Sequence, residues 1–367
     1  MYNIYENNKK NRWSYESGSD KVKFISAIHI ISLAAVLQYL LFKELPEIIY
    51  GIFGFIVYGT GILESDFFYF MSYEEIDFIF YNIMSIITTL TVCFLTCVFI
   101  ILCMRKFVLK QDVFSRNREN NKIPDKVTVK FKLPENTFAL LITGICIIEF
   151  SAVIYMLFNF FLNKVFSIVP VPPSEFQLYF PRTGFGIVLY FISLVIIPPV
   201  AEEFVCRYVM LNALKKYGNG FAIIATSLFF GFMHARVNAF IYATLMGVFL
   251  AYIAIKTKSI WFPVIMHAIV NGVSFMFQWL YSLPGFEYSA EVIYAVFLCI
   301  IAIICIIYLI TLIIRRKEIK LKKPVDYAHI TNRNKLLFFF NVASVLFFIL
   351  VILRSTEDYV FQSIKIL

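Results

Sequence analysis

The sequence predicts an all-α, polytopic membrane protein with about nine spans and one re-entrant or interfacial segment. Three observations carry that reading. The 367 residues are 60% hydrophobic and only 16% charged, with mean hydropathy +0.78. A soluble domain is roughly half apolar and a quarter charged, so this excess has no core large enough to hold it. The apolar residues fall in runs close to the roughly 20 that a crossing helix needs. The basic residues fall in the loops between those runs, the positive-inside pattern.

The same figures exclude an ordinary soluble enzyme, a disordered chain and a disulfide-stapled secreted domain. The net charge of +9 does not argue for nucleic acid, because the charge is spread over inter-span loops. The seven cysteines (Cys93, Cys97, Cys103, Cys146, Cys206, Cys299 and Cys305) lie inside or at the ends of apolar runs without ligand-like pairing. They read as small core or lipid-facing hydrophobes.

The first twenty residues are polar, with Lys9, Lys10 and Arg12, and no small-residue cleavage site follows the first apolar run, so no cleavable leader is expected. Run 24–43 is the first span. Run 48–62 is short and contains glycine. It is followed at 64–77 by Glu64, Asp66, Glu74, Glu75 and Asp77 without a Lys or Arg, so 44–77 is assigned to the outside with 48–62 not crossing. Run 79–104 returns to a basic loop at 105–137, with Arg105, Lys106, Arg116, Arg118 and Lys122. Six runs follow: 138–163, 185–216, 219–234, 238–255, 259–283 and 291–314. A second basic loop, 315–335, opens with Arg315, Arg316 and Lys317, and 336–353 is the last span. Both basic loops are expected in the cytoplasm, and the six spans between them satisfy that parity. The chain divides into an N-terminal membrane region with its basic loop (1–137), a helical core (138–314, motifs within 185–283), and a basic loop with a C-terminal span (315–367).

Ionisable residues inside spans are costly and are functional candidates. Here they cluster between 198 and 271. After Pro198 and Pro199, which should kink or unwind their segment, come Glu202, Glu203 and Arg207. Glu203 and Arg207 are four apart and share a helix face, so they can pair. Glu202 is turned about 100° away and is not neutralised in that manner. Phe230 and His234 form a second group. His267 and Asn271, also four apart, form a third.

Depth decides whether these groups belong together. Lys215–Gly220 and Lys256–Ser259 read as turns on one membrane side. At about 1.5 Å per residue, Glu202 lies roughly 20 Å from the first turn and His234 roughly 22 Å along the next helix. His267 and Asn271 lie roughly 12 and 18 Å from the second turn. Three helices therefore bring polar side chains to one buried layer, which random placement seldom achieves. A lone Glu–Arg pair is as often simple helix glue, and a lone histidine is more often a satisfied core residue. His29 and His329 receive that plainer reading.

These residues resemble the CPBP family (CAAX protease and bacteriocin-processing, also called Abi), which includes the type II CAAX prenyl endopeptidases. The resemblance rests on Glu-Glu-x-x-x-Arg at 202–207, Phe-x-x-x-His at 230–234 and His-x-x-x-Asn at 267–271. The run Thr257-Lys258-Ser259-Ile260-Trp261-Phe262-Pro263 is similar to the Thr-Gly-Ser-Leu-Trp-x-Pro run of bacterial members, with Lys258 in place of the usual glycine. It covers 185–283 and leaves both ends of the chain without inherited function.

The resemblance implies hydrolysis of a peptide bond within the membrane. Glu202 with His234 would bind and deprotonate a water, and His267 with Asn271 would donate to the developing oxyanion. Arg207 would hold Glu203 ionised, with contact to a substrate carboxylate as its lesser alternative. Two histidines and a glutamate could also compose a zinc site, but the His-Glu-x-x-His of metalloproteases is absent, and the family pair is read as metal-free. No cofactor is therefore expected, with zinc as the alternative. The expected partners are a membrane-associated or hydrophobic peptide and the lipid bilayer, in a bacterial plasma membrane. A prenylated substrate is a eukaryotic role and is not carried over. The competing class is a non-catalytic immunity or binding scaffold of the same fold. A transporter would need polar residues along a path and matched halves, and neither is evident.

Overall fold

The computed structural model describes residues 18–60, 71–109, 126–131, 144–145, 148–150, 152–154, 157, 180–234, 237–314 and 328–353. The described chain is a multi-pass helical membrane protein. Its only strand-like pairing among the described residues is an isolated bridge between Thr128 and Ser259.

Helix α1, Gly18–Thr60, runs 43 residues with Pro46 inside it. Phe24, Ala27, Ile28, Ile31, Ala34 and Ala35 are buried at three- and four-residue spacing, so one stripe of its first half faces the core. The 48–62 run is therefore not a separate re-entrant segment: as far as Thr60 it continues α1. Pro46 removes one N–H, the usual partner of the Phe42 carbonyl. This turn is only partly covered, and the helix continues past Gly51, Gly54 and Gly59 to Thr60.

Helix α2, Tyr73–Cys103, starts at Ser72, whose hydroxyl accepts from the Glu75 amide at 3.2 Å. A π-helical turn, Met104–Leu109, extends it. Helix α3, Gly184–Tyr217, is the long broken helix of the core. It passes through π-helical register at Ile192–Ile196 and again at Phe204–Met210. Gly218, at φ +125°, supports the turn out of α3 where a side chain would be strained.

Helices α4 (Asn219–Met233) and α5 (Val237–Thr257) form a tight antiparallel pair. A Cβ at Gly231 would meet Thr244 Oγ1 and the Phe240 carbonyl, and one at Gly247 would lie 3.1 Å from Ser227. These two glycines set how closely the pair approaches. Helices α6 (Trp261–Tyr281) and α7 (Glu287–Ile314) follow. Then α8 (Asn332–Phe340) meets a last helix, Val342–Leu353, at a 47° bend. Asn341 at the bend donates to Ser32 Oγ at 3.0 Å, and the Ser32 and Ser344 hydroxyls lie 2.7 Å apart, fastening the C-terminal pair to α1.

Six of the described helices are long and apolar enough to cross a bilayer, or seven if the bent pair is one span. The expected nine is not confirmed among the described residues. Run 219–234 yields a helix of 15 residues, shorter than a crossing. Run 138–163 lies largely outside the described residues, as do most of both basic loops. Described residues of those loops meet the two inter-helix turns. Thr128 exchanges backbone hydrogen bonds with Lys258 (3.0 Å) and Ile260 (3.1 Å), and the Ala328 amide donates to the Lys216 carbonyl at 2.8 Å.

Candidate active site

The site is built where α3, α4 and α6 meet. Glu202 and Glu203 end an α-helical stretch of α3, and the π-helical stretch that follows carries Arg207. Glu203 and Arg207 are both fully buried. The Arg207 Nε donates to Glu203 Oε2 at 2.8 Å. The other carboxylate oxygen, Oε1, lies 3.2 Å from His267 Nδ1 on α6. One carboxylate thus joins two helices, and His267 is itself 3% exposed. Two charges taken out of water need such close pairing to offset their desolvation.

Phe230, on α4, is the shared surface. Its ring lies 5.1 Å from the Arg207 guanidinium, 5.1 Å from the His234 ring and 5.7 Å from the His267 ring, the two imidazoles edge-on. A cation over a desolvated aromatic face contributes roughly 1–2 kcal/mol. Three polar side chains from three helices are therefore gathered around one ring.

His234 caps the C-terminal end of α4 and is exposed. Its Nδ1 lies 2.9 Å from the Phe230 carbonyl. A carbonyl only accepts, so Nδ1 carries a proton, and Nε2 is the ring nitrogen left outside this bond. Glu202 is half-buried and makes no hydrogen bond to His234; its Oε2 is buried without a hydrogen-bond partner. No hydrogen bond joins Asn271 to His267. Its Nδ2 donates instead to the Leu194 carbonyl on α3 at 2.9 Å. His29 stays in α1, bonded to the Ile25 carbonyl at 2.7 Å.

Sequence reasoning places Glu203 beside Arg207 but does not anticipate the His267 contact, the Phe230 hub or the Leu194 carbonyl. It also passes over Glu149, which is buried in the 138–163 run with Oε1 unpartnered. A second group comes from α2. Glu75 accepts from the Arg182 amide (2.9 Å), the Thr183 amide (3.1 Å) and the Thr183 hydroxyl (2.5 Å), at the entry to α3. One heptad further on, Asn82 accepts from the Ser193 hydroxyl. The one available signal was the acidic cluster at the start of α2, where Glu74, Glu75 and Asp77 stand without a Lys or Arg.

Among the described residues no group of three or more His, Cys, Asp or Glu side chains is arranged to hold a metal ion. Six described cysteines are free thiols, and Cys146 lies outside the described residues.

Residues 184–273 match the family model described as type II CAAX prenyl endopeptidase Rce1-like. The chain is also similar to the Bacillus subtilis (strain 168) protein named "Putative membrane peptidase YdiL", at 34% identity over 77 residues. That match covers 21% of this chain and 32% of the relative, so it spans about a third of the relative's length. No solved structure matches the chain. Glu202, Glu203, Arg207, His234, His267 and Asn271 all fall within the matched segment, and it is over that segment that the chain is similar to the Rce1-like type II CAAX prenyl endopeptidases.

Proposed function

We propose that this protein is an intramembrane endopeptidase that hydrolyses a peptide bond in a hydrophobic or membrane-associated peptide, in a bacterial plasma membrane. The observation that carries the reading is the Phe230 hub. Beside it stand an ion-paired carboxylate bonded to one imidazole, a second imidazole with Nε2 outside its backbone bond, and, on the adjacent turn of α3, a carboxylate oxygen without a partner.

In this reading Glu202 is the general base. Glu203 is committed to Arg207 and His267, whereas Glu202 Oε2 has no competing donor and can accept a proton from water. His234 Nε2 would orient that water. His267, held through Nδ1 by Glu203, would turn Nε2 towards the scissile carbonyl; donation to an oxyanion requires that nitrogen to carry a proton, and the Glu203 carboxylate opposite supports the resulting imidazolium. Asn271 is committed through Nδ2 to the Leu194 carbonyl, so His267 is the oxyanion donor in this reading. The reading needs no metal.

The test is cleavage of a pool of labelled hydrophobic peptides by the purified protein in detergent micelles, read by mass spectrometry. Glu202→Gln and His234→Ala are expected to abolish cleavage while leaving the melting temperature near wild type. Cleavage that survives Glu202→Gln would reject the assignment and favour a scaffold without catalysis.

A further inference from the structure

The Leu194 carbonyl sits in a stretch of α3 that has lost its ordinary partners. In α-helical register it would accept from residue 198, and in π-helical register from residue 199. Both are proline and have no N–H. The register there is π-helical: the Ile197 amide donates to the Ile192 carbonyl, five residues back. Every backbone route to the Leu194 oxygen is therefore closed, at a depth where hydrocarbon offers no donor and an unpaired carbonyl costs several kcal/mol.

Asn271 supplies the missing bond. Its Nδ2 lies 2.9 Å from that oxygen. The adjoining residue of α6 is Gly272, where an added Cβ would sit 3.8 Å from Val195 Cγ1, so α6 lies directly against this stretch. At the preceding residue, Ser193 donates to Asn82 of α2. The π-helical stretch is thus gripped at two consecutive residues by two different helices, one of them outside the matched segment. Two turns further along α3 stands Glu202.

We infer that Asn271 is a positioning residue: its carboxamide stands in for the N–H that Pro198 and Pro199 lack, closes the Leu194 carbonyl and fixes the part of α3 that delivers Glu202. The lock is a property of the fold, and only its bearing on Glu202 rests on the protease reading. It gives the proline pair a purpose. The prolines leave the Leu194 carbonyl open on α3, and α6 uses it to register the His267 helix against the Glu202 helix.

The test is a cycle between Asn271→Asp and the double change Pro198→Ala with Pro199→Ala. Aspartate has the shape of asparagine without its N–H donors, Asn271→Leu run in parallel removes them without adding a charge or an O–H, and the alanines restore backbone N–H groups to Leu194. Melting in detergent micelles and hydrogen exchange over residues 192–206 are measured on wild type, each variant and the combination. In the proline background Asn271→Asp should lower the melting temperature by several degrees and speed exchange over 192–206. In the alanine background less than a third of either effect should remain. Equal losses in both backgrounds would overturn the lock. Cleavage of the labelled hydrophobic peptide pool adds the readout that packing alone would not move. If Asn271 acts by positioning, turnover at saturating peptide returns in the combined variant. Melting restored without turnover would overturn the positioning role and make Asn271 a direct donor to substrate. If even wild type cleaves none of the peptides, the protease reading fails, and melting and exchange still decide the lock.

Discussion

His267 Nδ1 and Glu203 Oε1 lie 3.2 Å apart across 64 residues of sequence, and the other oxygen of the same carboxylate takes Arg207 Nε at 2.8 Å. One buried acid therefore sets the position of an imidazole on α6 and a guanidinium on its own helix. Removing it leaves Arg207 as an uncompensated buried charge. Glu203→Ala is expected to cost about 3–5 kcal/mol of stability. A combined Glu203→Gln and Arg207→Met change should cost much less, because no charge is stranded. Thermal unfolding of the three proteins in one detergent measures the difference, and equal losses would contradict the pairing.

Gly231 and Gly220 should respond oppositely to alanine. At Gly231 a Cβ meets Thr244 Oγ1 and, at 2.9 Å, the backbone oxygen of Phe240, which has no rotamer to escape into. Gly231→Ala is expected to destabilise the α4–α5 pair by about 1–3 kcal/mol and to shift His234 three residues away. At Gly220 nothing lies within 4 Å of the added atom, so Gly220→Ala should be neutral or mildly stabilising. Melting curves of the two variants give the comparison directly.

Segment 126–131 is held by the run that begins α6. Trp261 Nε1 donates to the Val129 carbonyl at 2.7 Å, the Ser259 hydroxyl to the Lys130 carbonyl at 3.0 Å, and Asn212 exchanges two hydrogen bonds with Val127. Trp261→Phe with Ser259→Ala removes two of these, each contributing about 1 kcal/mol. Faster hydrogen exchange and earlier proteolysis over 126–131 are expected, with the α4–α5 pair unaffected. Unchanged protection would show that the motif side chains do not hold the segment.

Glu75 anchors the start of α3 from α2 through three hydrogen bonds. Glu75→Ala should cost about 2–3 kcal/mol, since two backbone amides lose a charged acceptor. Hydrogen exchange should rise at 182–187 and stay at wild-type levels in α7. Loss of protection spread evenly over the chain would argue against a local anchor.

Chelation is expected to leave peptide cleavage intact. Incubation with EDTA followed by the same peptide assay, and metal analysis of the purified protein, check it. Activity lost on chelation and regained with zinc would replace the Glu202 reading by a metal-dependent one.

The parts of this site that follow helix periodicity were readable from residues alone. Glu203 and Arg207 at i and i+4 are neighbours on any helix, and the depth count from the two lysine-bearing turns brought 202, 234 and 267 to a common level. What periodicity does not encode was missed. The partner of Asn271 is a backbone carbonyl, freed by two prolines read only as a kink. Phe230 is one of 42 phenylalanines, and nothing in its spacing distinguishes a hub from a lipid-facing ring. The continuation of α1 through Pro46 depended on partial exposure of one turn, which composition does not reveal. Glu149 sits alone in an apolar run, with no polar neighbour at helical spacing to mark it.

Helix α4, at 15 residues, has a consequence for where chemistry can occur. At about 1.5 Å per residue it rises only some 22 Å, less than the roughly 30 Å hydrocarbon slab. Its far end, bearing the exposed His234, therefore stops short of the opposite headgroups. Polar groups there have no partner in lipid tails, so the bilayer must dimple or bulk solvent must funnel down to meet them. A hydrolase needs its second reactant delivered to such a depth, and a truncated helix opens that route without any moving part.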